Sequence, residues 1–108
     1  MTKKTDIFVA IDTQSQENAK KLIGQLNNKH CGIKIGKELF TSCGPEIVQW
    51  VKEEGFEVFL DLKFHDIPNT VMKACEAAAR LNINIINVHS LGGKEMMSAA
   101  KNAVSNQQ

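Results

Sequence analysis

Four apolar stretches recur along the chain, and each is followed by a stretch with helical spacing. The apolar stretches cover residues 7–11, 31–36, 57–63 and 83–89. Continuous runs of β-branched and aromatic residues are typical of parallel strands that are covered on both faces. We therefore predict four buried parallel strands.

The segments between these strands have the apolar spacing of amphipathic helices. Helices are predicted over residues 15–28, 45–54, 68–81 and 94–104. Pro45 and Pro68 stand near two of the predicted helix starts, where a missing backbone N–H is tolerated. Gly55 follows a predicted helix end. The polar residues 105–108 are predicted to fray.

Each predicted strand ends in polar or charged residues, which is the pattern of a (β/α) barrel with its active site at the carboxyl ends of its strands. These strand ends carry Asp12, Lys34, Asp61 with Lys63, and Asn87 with His89. A complete barrel needs eight units and about 200 residues or more. The predicted fold class is therefore α/β, with parallel (β/α) units of a TIM-type barrel and four of its eight units present. This half-barrel would form a single unit over residues 1–108.

Composition narrows the classes of function. The 108 residues are 43% hydrophobic and 23% charged, with a formal net charge of +1, which is globular composition for one modest core. The basic residues form no block and are not interleaved with aromatic residues, so a nucleic-acid surface is not expected. The predicted ligand is a small molecule.

Cysteine usage and hydropathy indicate the compartment. Cys31, Cys43 and Cys75 are odd in number and widely spaced, which argues against a disulfide framework or a zinc site. No histidine pair has metal-ligand spacing, so no metal is expected. The N-terminus shows no signal segment, and no stretch of about 18 apolar residues predicts a membrane span. A cytoplasmic protein is predicted.

The end of the third predicted strand carries Asp61, Lys63 and Asp66 within six residues. Burying ionised groups costs several kcal/mol each unless they are paired, so this stretch indicates a functional site. Strand alternation places Asp61 and Lys63 on the same face, toward the barrel mouth. Asp12 and Lys34 are expected at the same rim. Four charges of alternating sign would then converge.

These charges suggest a reaction class. Flanking carboxylates favour the charged form of an amine, so Lys63 is expected to be an ammonium that donates a proton. Asp61 would hold a fixed negative charge that repels a substrate carboxylate. An ammonium beside a developing carbanion stabilises that charge and then protonates it. The predicted reaction class is decarboxylation.

The same residues also have structural interpretations. In one, Asp61 and Lys63 form a structural ion pair. Asp66, ahead of Pro68, caps the next helix in another. In three further structural interpretations, Asp12 caps the first helix, Lys34 is a rim lysine, and His89 is a hydrogen-bonded structural histidine.

Residues 61–70, with the sequence DLKFHDIPNT, resemble the signature of the orotidine 5'-phosphate decarboxylase family. Three other segments agree in order with the first, second and fourth strands of that family: residues 9–12 (VAID), 33–40 (IKIGKELF) and 87–93 (NVHSLGG). The resemblance extends over nearly the whole chain. The ten-residue motif is its most specific part.

The resemblance implies conversion of orotidine 5'-monophosphate to uridine 5'-monophosphate and carbon dioxide, the last step of de novo pyrimidine synthesis, without metal or organic cofactor. Lys63 would protonate C6 of the pyrimidine, and Asp61 would destabilise the departing carboxylate. Asp12 and Lys34 would bind the ribose hydroxyls. Catalytic Asp66, together with substrate-binding Ile67 and Thr70, would reach the site of a neighbouring subunit, which implies a homodimer.

The family's complete barrel is about twice as long as this chain. Its second half carries the loop that closes over the ligand and the arginine that binds the phosphate. We therefore expect this chain to be a truncated form, and the sequence leaves open whether the isolated chain is active. One alternative is a magnesium-dependent sugar-phosphate decarboxylase or aldolase of the same superfamily, which shares the Asp-x-Lys-x-x-Asp pattern. The other is a non-catalytic half-barrel that serves as an assembly module.

Overall fold

The computed structural model describes residues 5–105. Within this range a single sheet of four parallel strands has the order β1-β2-β3-β4. The strands are β1 (Phe8–Ala10), β2 (Gly32–Gly36), β3 (Val58–Phe64) and β4 (Ile85–Val88). The helices are α1 (Gln16–Gly24), α2 (Lys37–Cys43), α3 (Pro45–Glu53), α4 (Pro68–Ala79) and α5 (Lys94–Ser105), with a short 3₁₀ helix at Ser90–Gly92 before α5.

The sequential strand order confirms the predicted fold class. Parallel crossovers are right-handed, so strands that always advance in one direction place all their helices on one face of the sheet. Doubly wound folds instead reverse the strand order and cover both faces. The sheet therefore has the topology of (β/α) barrel units.

Helix α2 was not predicted. The predicted elements leave residues 37–44 unassigned, but Lys37–Cys43 is helical and Leu39 is fully buried. The segment is only seven residues long, so its single buried leucine gives no helical periodicity to detect. Gly44, with φ +71°, separates α2 from α3.

Helix starts follow the predicted signals more closely than helix ends. Pro45 and Pro68 are the first residues of α3 and α4, and Gly55 follows α3 with φ +88°. Helix α1 begins after Ser15, whose hydroxyl accepts a hydrogen bond from the Asn18 backbone N–H, and ends at Gly24 rather than at residue 28.

Two clusters of buried side chains stabilise the fold. The main core lies between the sheet and its helices, chiefly α1, α2 and α3, and includes Ile23, Ile33, Ile35, Leu39, Val48, Val51, Val58 and Leu60. A second core lies between α4 and α5 and consists of Val71, Cys75, Met96, Ala100 and Ala103. Burial of these apolar side chains supplies the main favourable term in folding.

The opposite face of the sheet is only partly covered. Phe8 and Phe59 pack edge to face on it, with ring centroids 5.9 Å apart, and Ile85 beside them is 41% exposed. We call this face, which carries Phe8 and Phe59, the inner face. The prediction of strands covered on both faces is wrong for it, because all the helices of residues 5–105 pack on the other side.

Gly32 in β2 provides space for the Phe8 ring. A β-carbon at this position would lie 2.5 Å from a Phe8 ring carbon and 3.0 Å from the Glu57 carbonyl oxygen. We expect Gly32→Ala to lower the free energy of unfolding by about 1 to 3 kcal/mol through overpacking. Urea denaturation followed by circular dichroism measures this change.

Gly24→Ala is the matched control, because a β-carbon at Gly24 would meet nothing within 4 Å. Alanine is the better helix former at the end of α1, so stability should stay constant or rise by up to about 1 kcal/mol. Combining Gly32→Ala with Phe8→Ala should cost less than the sum of the two single changes. Strict additivity would contradict the proposed clash.

The ends of the chain limit two predictions. Ser105 is the last residue of α5, and its hydroxyl donates to the Lys101 carbonyl oxygen at 2.9 Å, so the first residue of the predicted frayed tail is helical. Residues 1–4 and 106–108, which contain most of the N-terminal segment and of the predicted frayed tail, lie outside the described residues. Within residues 5–105 no helix is long and apolar enough to cross a membrane.

Candidate active site

Asp61 lies at the centre of a charged cluster at the carboxyl end of β3. Its Oδ1 atom accepts hydrogen bonds from Lys63 Nζ and from Asn87 Nδ2, both at 2.7 Å, and its Oδ2 atom lies 3.1 Å from Lys34 Nζ. The residue is only 6% exposed. A buried carboxylate requires such partners, because its desolvation is costly unless charges and hydrogen bonds compensate.

The pairing of β3 with β4 contains a bulge at this cluster. Leu60 pairs with Ile86 and Phe64 pairs with Val88, so three residues of β3 stand opposite the single residue Asn87 of β4. Bulges of this kind occur beside active sites and redirect side chains. Here the bulge contains both Asp61 and Lys63.

Lys63 adopts an unusual backbone conformation within the bulge. Its φ of +49° lies in the left-handed region, which costs a residue with a β-carbon about 1 to 2 kcal/mol. The Lys63 backbone N–H donates to Asn87 Oδ1 at 2.9 Å, and its side chain is 53% exposed. The amine is therefore paired with Asp61 and still accessible from the inner face.

Asn87 was noted from sequence only as a polar strand end, and no role was assigned to it. The structure places its amide between the Asp61 carboxylate and the Lys63 backbone, with a hydrogen bond to each. The available signal was the position of Asn87 at the end of the neighbouring strand. The bulge that brings these groups together leaves no mark in the hydrophobic pattern.

The neighbours of Asp61 stabilise its ionised form. The hydrogen bond from Lys63 is the main cause that lowers the pKa of Asp61 from 3.8 to about 2. Burial opposes this shift, while the hydrogen bonds from Asn87 and Lys34 support it. Asp61 therefore carries a fixed negative charge at neutral pH.

This shift predicts a loss of stability in acid. Because the pKa of Asp61 is lowered in the folded state, its contribution is present above pH 4 and is lost as the pH falls toward 2. The pKa difference corresponds to about 2 kcal/mol. Urea unfolding at pH 5 and pH 2.5 should show a larger acid loss for the natural chain than for Asp61→Asn. Equal losses would mean that Asp61 is not the group responsible.

Lys34 joins the cluster, whereas the Asp12 side chain does not contact it. Lys34 lies in β2 and its side chain is 32% exposed, with Asp61 as its ionic partner. The backbone N–H of Ile11 donates to the Lys34 carbonyl oxygen, which places Asp12 at the same rim. Among residues 5–105 the exposed Asp12 carboxylate has no hydrogen bond or ion pair. Of the four charges that were expected to converge, Lys34, Asp61 and Lys63 do so.

Asp12 and Asp66 do not have the cap roles that were considered for them. The N-cap of α1 is Ser15, and the N-cap of α4 is Ile67, which has no side-chain capping bond. The Asp66 carboxylate instead accepts a hydrogen bond from the Ile67 backbone N–H at 2.7 Å. The two aspartates therefore do not serve these helices as caps.

Asp66, Ile67 and Thr70 form an exposed group at the start of α4. All three are exposed, and Ile67 is 65% exposed despite its apolar side chain. They lie in and just after the loop that follows β3, so they are near the charged cluster in sequence. Within residues 5–105 no hydrogen bond joins them to that cluster.

His89 has a structural role. Its Nδ1 atom accepts a hydrogen bond from the Leu91 backbone N–H at 3.1 Å and so caps the 3₁₀ helix, while its ring stacks on His65 with centroids 4.9 Å apart. The His89 backbone N–H donates to the Phe64 carbonyl oxygen at 2.9 Å. The histidine therefore stabilises the loops that follow β3 and β4.

The charged cluster faces an open surface. A cavity elsewhere, at the amino end of β4, is lined by Ala79, Ile83 and Val104 among others and includes no member of the cluster. Across residues 5–105 no group of three or more histidine, cysteine, aspartate or glutamate side chains is arranged to hold a metal ion. The candidate site therefore consists of the charges and hydrogen bonds around Asp61.

Comparison with known proteins gives a consistent result. Residues 5–108 match the model of a family described as orotidine 5'-phosphate decarboxylase / HUMPS. The chain is 57% identical over 98 residues to the orotidine 5'-phosphate decarboxylase of Idiomarina loihiensis, covering 91% of this chain and 42% of that protein. It is 54% identical over 102 residues to the same enzyme from Saccharophagus degradans, covering 94% and 43%.

Solved structures agree with the sequence relatives. A crystal structure of orotidine 5'-phosphate decarboxylase from Lactobacillus acidophilus superposes with a TM-score of 0.87 at 34% identity, covering 97% of this chain and 47% of that one. An uncharacterized conserved protein from Geobacillus kaustophilus gives a TM-score of 0.88 at 39% identity, covering 94% and 47%. The chain thus spans less than half the length of these relatives.

Proposed function

Because the chain belongs to the orotidine 5'-phosphate decarboxylase / HUMPS family, we propose that it is the half-barrel that supplies the decarboxylating groups of an orotidine 5'-phosphate decarboxylase. The observation that carries this proposal is the buried Asp61 carboxylate, bonded to the amines of Lys34 and Lys63 at the carboxyl ends of parallel strands. Active sites of (β/α) barrels are built at these strand ends. The proposed product is uridine 5'-monophosphate.

The proposed chemistry uses Asp61 and Lys63 in succession. The substrate carboxylate on C6 of the pyrimidine is placed next to the fixed negative charge of Asp61, which raises the energy of the bound carboxylate. Breaking the bond from C6 to the carboxylate releases carbon dioxide and leaves an electron pair on C6. The Lys63 ammonium stabilises this pair and donates a proton to it. No metal or organic cofactor is needed for this sequence.

Lys34 and Asp12 are proposed to bind the ribose. Lys34 is held by Asp61, so its amine has a fixed position at the rim from which it can donate to a hydroxyl. The Asp12 carboxylate has no hydrogen-bond partner within the described part of the chain and can accept one from a ribose hydroxyl. These contacts fix the pyrimidine relative to Lys63.

We further propose a homodimer in which Asp66, Ile67 and Thr70 reach the partner's site. Their exposure in and just after the loop that follows β3, the strand that carries Asp61 and Lys63, supports this arrangement. In a two-fold dimer the same surface of each subunit contacts the other. Asp66 would then bring a second carboxylate close to the partner's Lys63.

The catalytic experiments require a chain of full family length. We define the completed chain as this chain joined at its C-terminal end to the part of the Idiomarina loihiensis relative that follows the matched region. Loss of orotidine 5'-monophosphate absorbance in the presence of EDTA tests the proposed reaction and separates it from a magnesium-dependent sugar-phosphate enzyme. No absorbance loss with the folded completed chain would refute the proposed function.

Mixed dimers test the role of Asp66 across the interface. Lys63→Ala and Asp66→Ala completed chains are each expected to be nearly inactive alone. After the two are unfolded and refolded together, half of the dimers are mixed and one site in each mixed dimer has both groups, so activity should recover to about one quarter of the natural level. The decarboxylation rate after refolding measures this recovery.

The control for this experiment is the same procedure with Lys63→Ala and Asp61→Ala. Both residues act within their own subunit, so each site of a mixed dimer keeps one defect. No mixed dimer of this pair contains an intact site, and no recovery is expected. If the Asp66→Ala mixture also stays inactive, Asp66 acts within its own subunit or not at all.

The open sheet supports a second candidate function, an assembly module without activity of its own. Strands β1 and β4 are each paired on one side only in residues 5–105, and the inner face carries partly exposed apolar side chains. Unpaired edges favour association with another chain. The comparison of the chain alone with the completed chain distinguishes the two candidates.

A further inference from the structure

The Asn87 side chain spans the bulge in β3 and uses both ends of its amide. Nδ2 donates to Asp61 Oδ1 at 2.7 Å, and Oδ1 accepts from the Lys63 backbone N–H at 2.9 Å. Because the bulge interrupts the ladder between β3 and β4, the side chain replaces a strand-to-strand hydrogen bond at this point.

We propose that Asn87 is a positioning residue for decarboxylation, which fixes the Asp61 carboxylate and the Lys63 backbone relative to each other. The proposal rests on the proposed function. Asn87 contacts no reacting atom in this scheme and acts through the two residues that it bonds. Its position opposite the bulge is the reason that one side chain reaches both of them.

The backbone of Lys63 explains why such a residue is needed. Its left-handed conformation is unfavourable for a lysine and persists only if the surroundings hold it. The bond to Asn87 Oδ1 holds the backbone, and the bond from Nδ2 fixes the oxygen atom to which the Lys63 amine is paired. Loss of Asn87 would release both constraints while leaving the catalytic amine present.

Two variants separate these two hydrogen bonds, and a third is their control. Asn87→Ala removes both. Asn87→Asp keeps an acceptor for the Lys63 N–H but replaces the donor with a carboxylate that repels Asp61. Asn102→Ala, at an exposed position on α5, is the matched control.

Nuclear magnetic resonance of the 108-residue chain gives a readout that is independent of turnover. In Asn87→Ala the pKa of Asp61 should rise by about 0.5 to 1 unit, because the carboxylate loses one donor. The Lys63 amide should exchange with solvent faster in Asn87→Ala than in Asn87→Asp. Neither quantity should change in Asn102→Ala.

Turnover of the completed chain gives the second readout. Asn87→Ala should lower kcat by about 10- to 100-fold with KM changed less than about 3-fold, because the catalytic groups are present but misplaced. The activity of Asn87→Asp relative to the natural residue should rise as the pH falls, since a protonated carboxyl group can again donate to Asp61. Asn87→Ala should show no such recovery.

The outcomes distinguish this proposal from the proposed function. An inactive completed chain with natural Asn87 refutes the proposed function. The magnetic resonance results then still show whether Asn87 holds Asp61 and the Lys63 backbone through its two hydrogen bonds. An active completed chain whose kcat is unaffected by Asn87→Ala overturns the positioning role. Unchanged Asp61 pKa and Lys63 exchange overturn it as well. If Asn87→Ala fails to fold, the acid recovery of Asn87→Asp decides the question.

Discussion

Lys63→Ala in the completed chain is expected to lower the rate of orotidine 5'-monophosphate decarboxylation by about 10²- to 10⁴-fold, the usual contribution of a positioned proton donor. The reason is the geometry around Asp61: the amine is held at 2.7 Å from a buried carboxylate, and the Lys63 side chain is still 53% exposed. Single-turnover measurements of carbon dioxide release check this result.

Stability and turnover together separate the catalytic interpretation from a structural ion pair. Lys63 is the main partner of the buried Asp61 carboxylate, so Lys63→Ala should lower the free energy of unfolding by about 1 to 2 kcal/mol, while Lys34 and Asn87 still compensate the remaining charge. Lys73→Ala, at an exposed position on α4, is the control and should leave both turnover and stability unchanged. A large loss of stability together with unchanged turnover would support the structural pair.

The chain alone is expected to turn over orotidine 5'-monophosphate at least about 10²-fold more slowly than the completed chain, because placement of the reacting groups depends on the whole binding surface. The structure supports this expectation through the inner face, where Ile85 is 41% exposed and the charged cluster is open. Binding of a remote substrate group contributes to the rate only if the chain offers a surface for it.

Sedimentation of the chain alone belongs to the same experiment. If the open edges of β1 and β4 drive association, the 12.0 kDa chain should sediment as a species larger than a monomer. Adding the remaining part of the Idiomarina loihiensis relative as a separate polypeptide should convert this species to a complex of the size of one complete barrel. A cooperative monomer would contradict the association. Equal turnover of the chain alone and the completed chain would contradict the argument about substrate placement.

Sequence reasoning predicted the strands and the central ion pair because both depend on local patterns. Each βα unit shows its own apolar run, and the spacing of Asp61 and Lys63 brings both to one side of β3. The family signature at residues 61–70 is equally local. Such features are present in a short window of residues and need no knowledge of the rest of the fold.

The parts that sequence reasoning missed depend on tertiary contacts. The bulge arises from how β3 pairs with β4, so the role of Asn87 appears only when the two strands are placed together. Ser15 and Ile67, rather than the nearby aspartates, occupy the cap positions because the helices begin three and one residues later than a cap at Asp12 or Asp66 would require. Cap position is sensitive to such small shifts in a helix start.

The division of the buried side chains into two cores has a consequence for motion. Leu62 packs against the main core, whereas Phe64 and Val88 pack against the core between α4 and α5. Lys63 therefore lies between residues that pack against different cores. We expect the smaller core, built from small side chains apart from Met96, to open more readily than the main core. Transient opening of the α4–α5 unit would disturb the Lys63 amine before the sheet itself loosens.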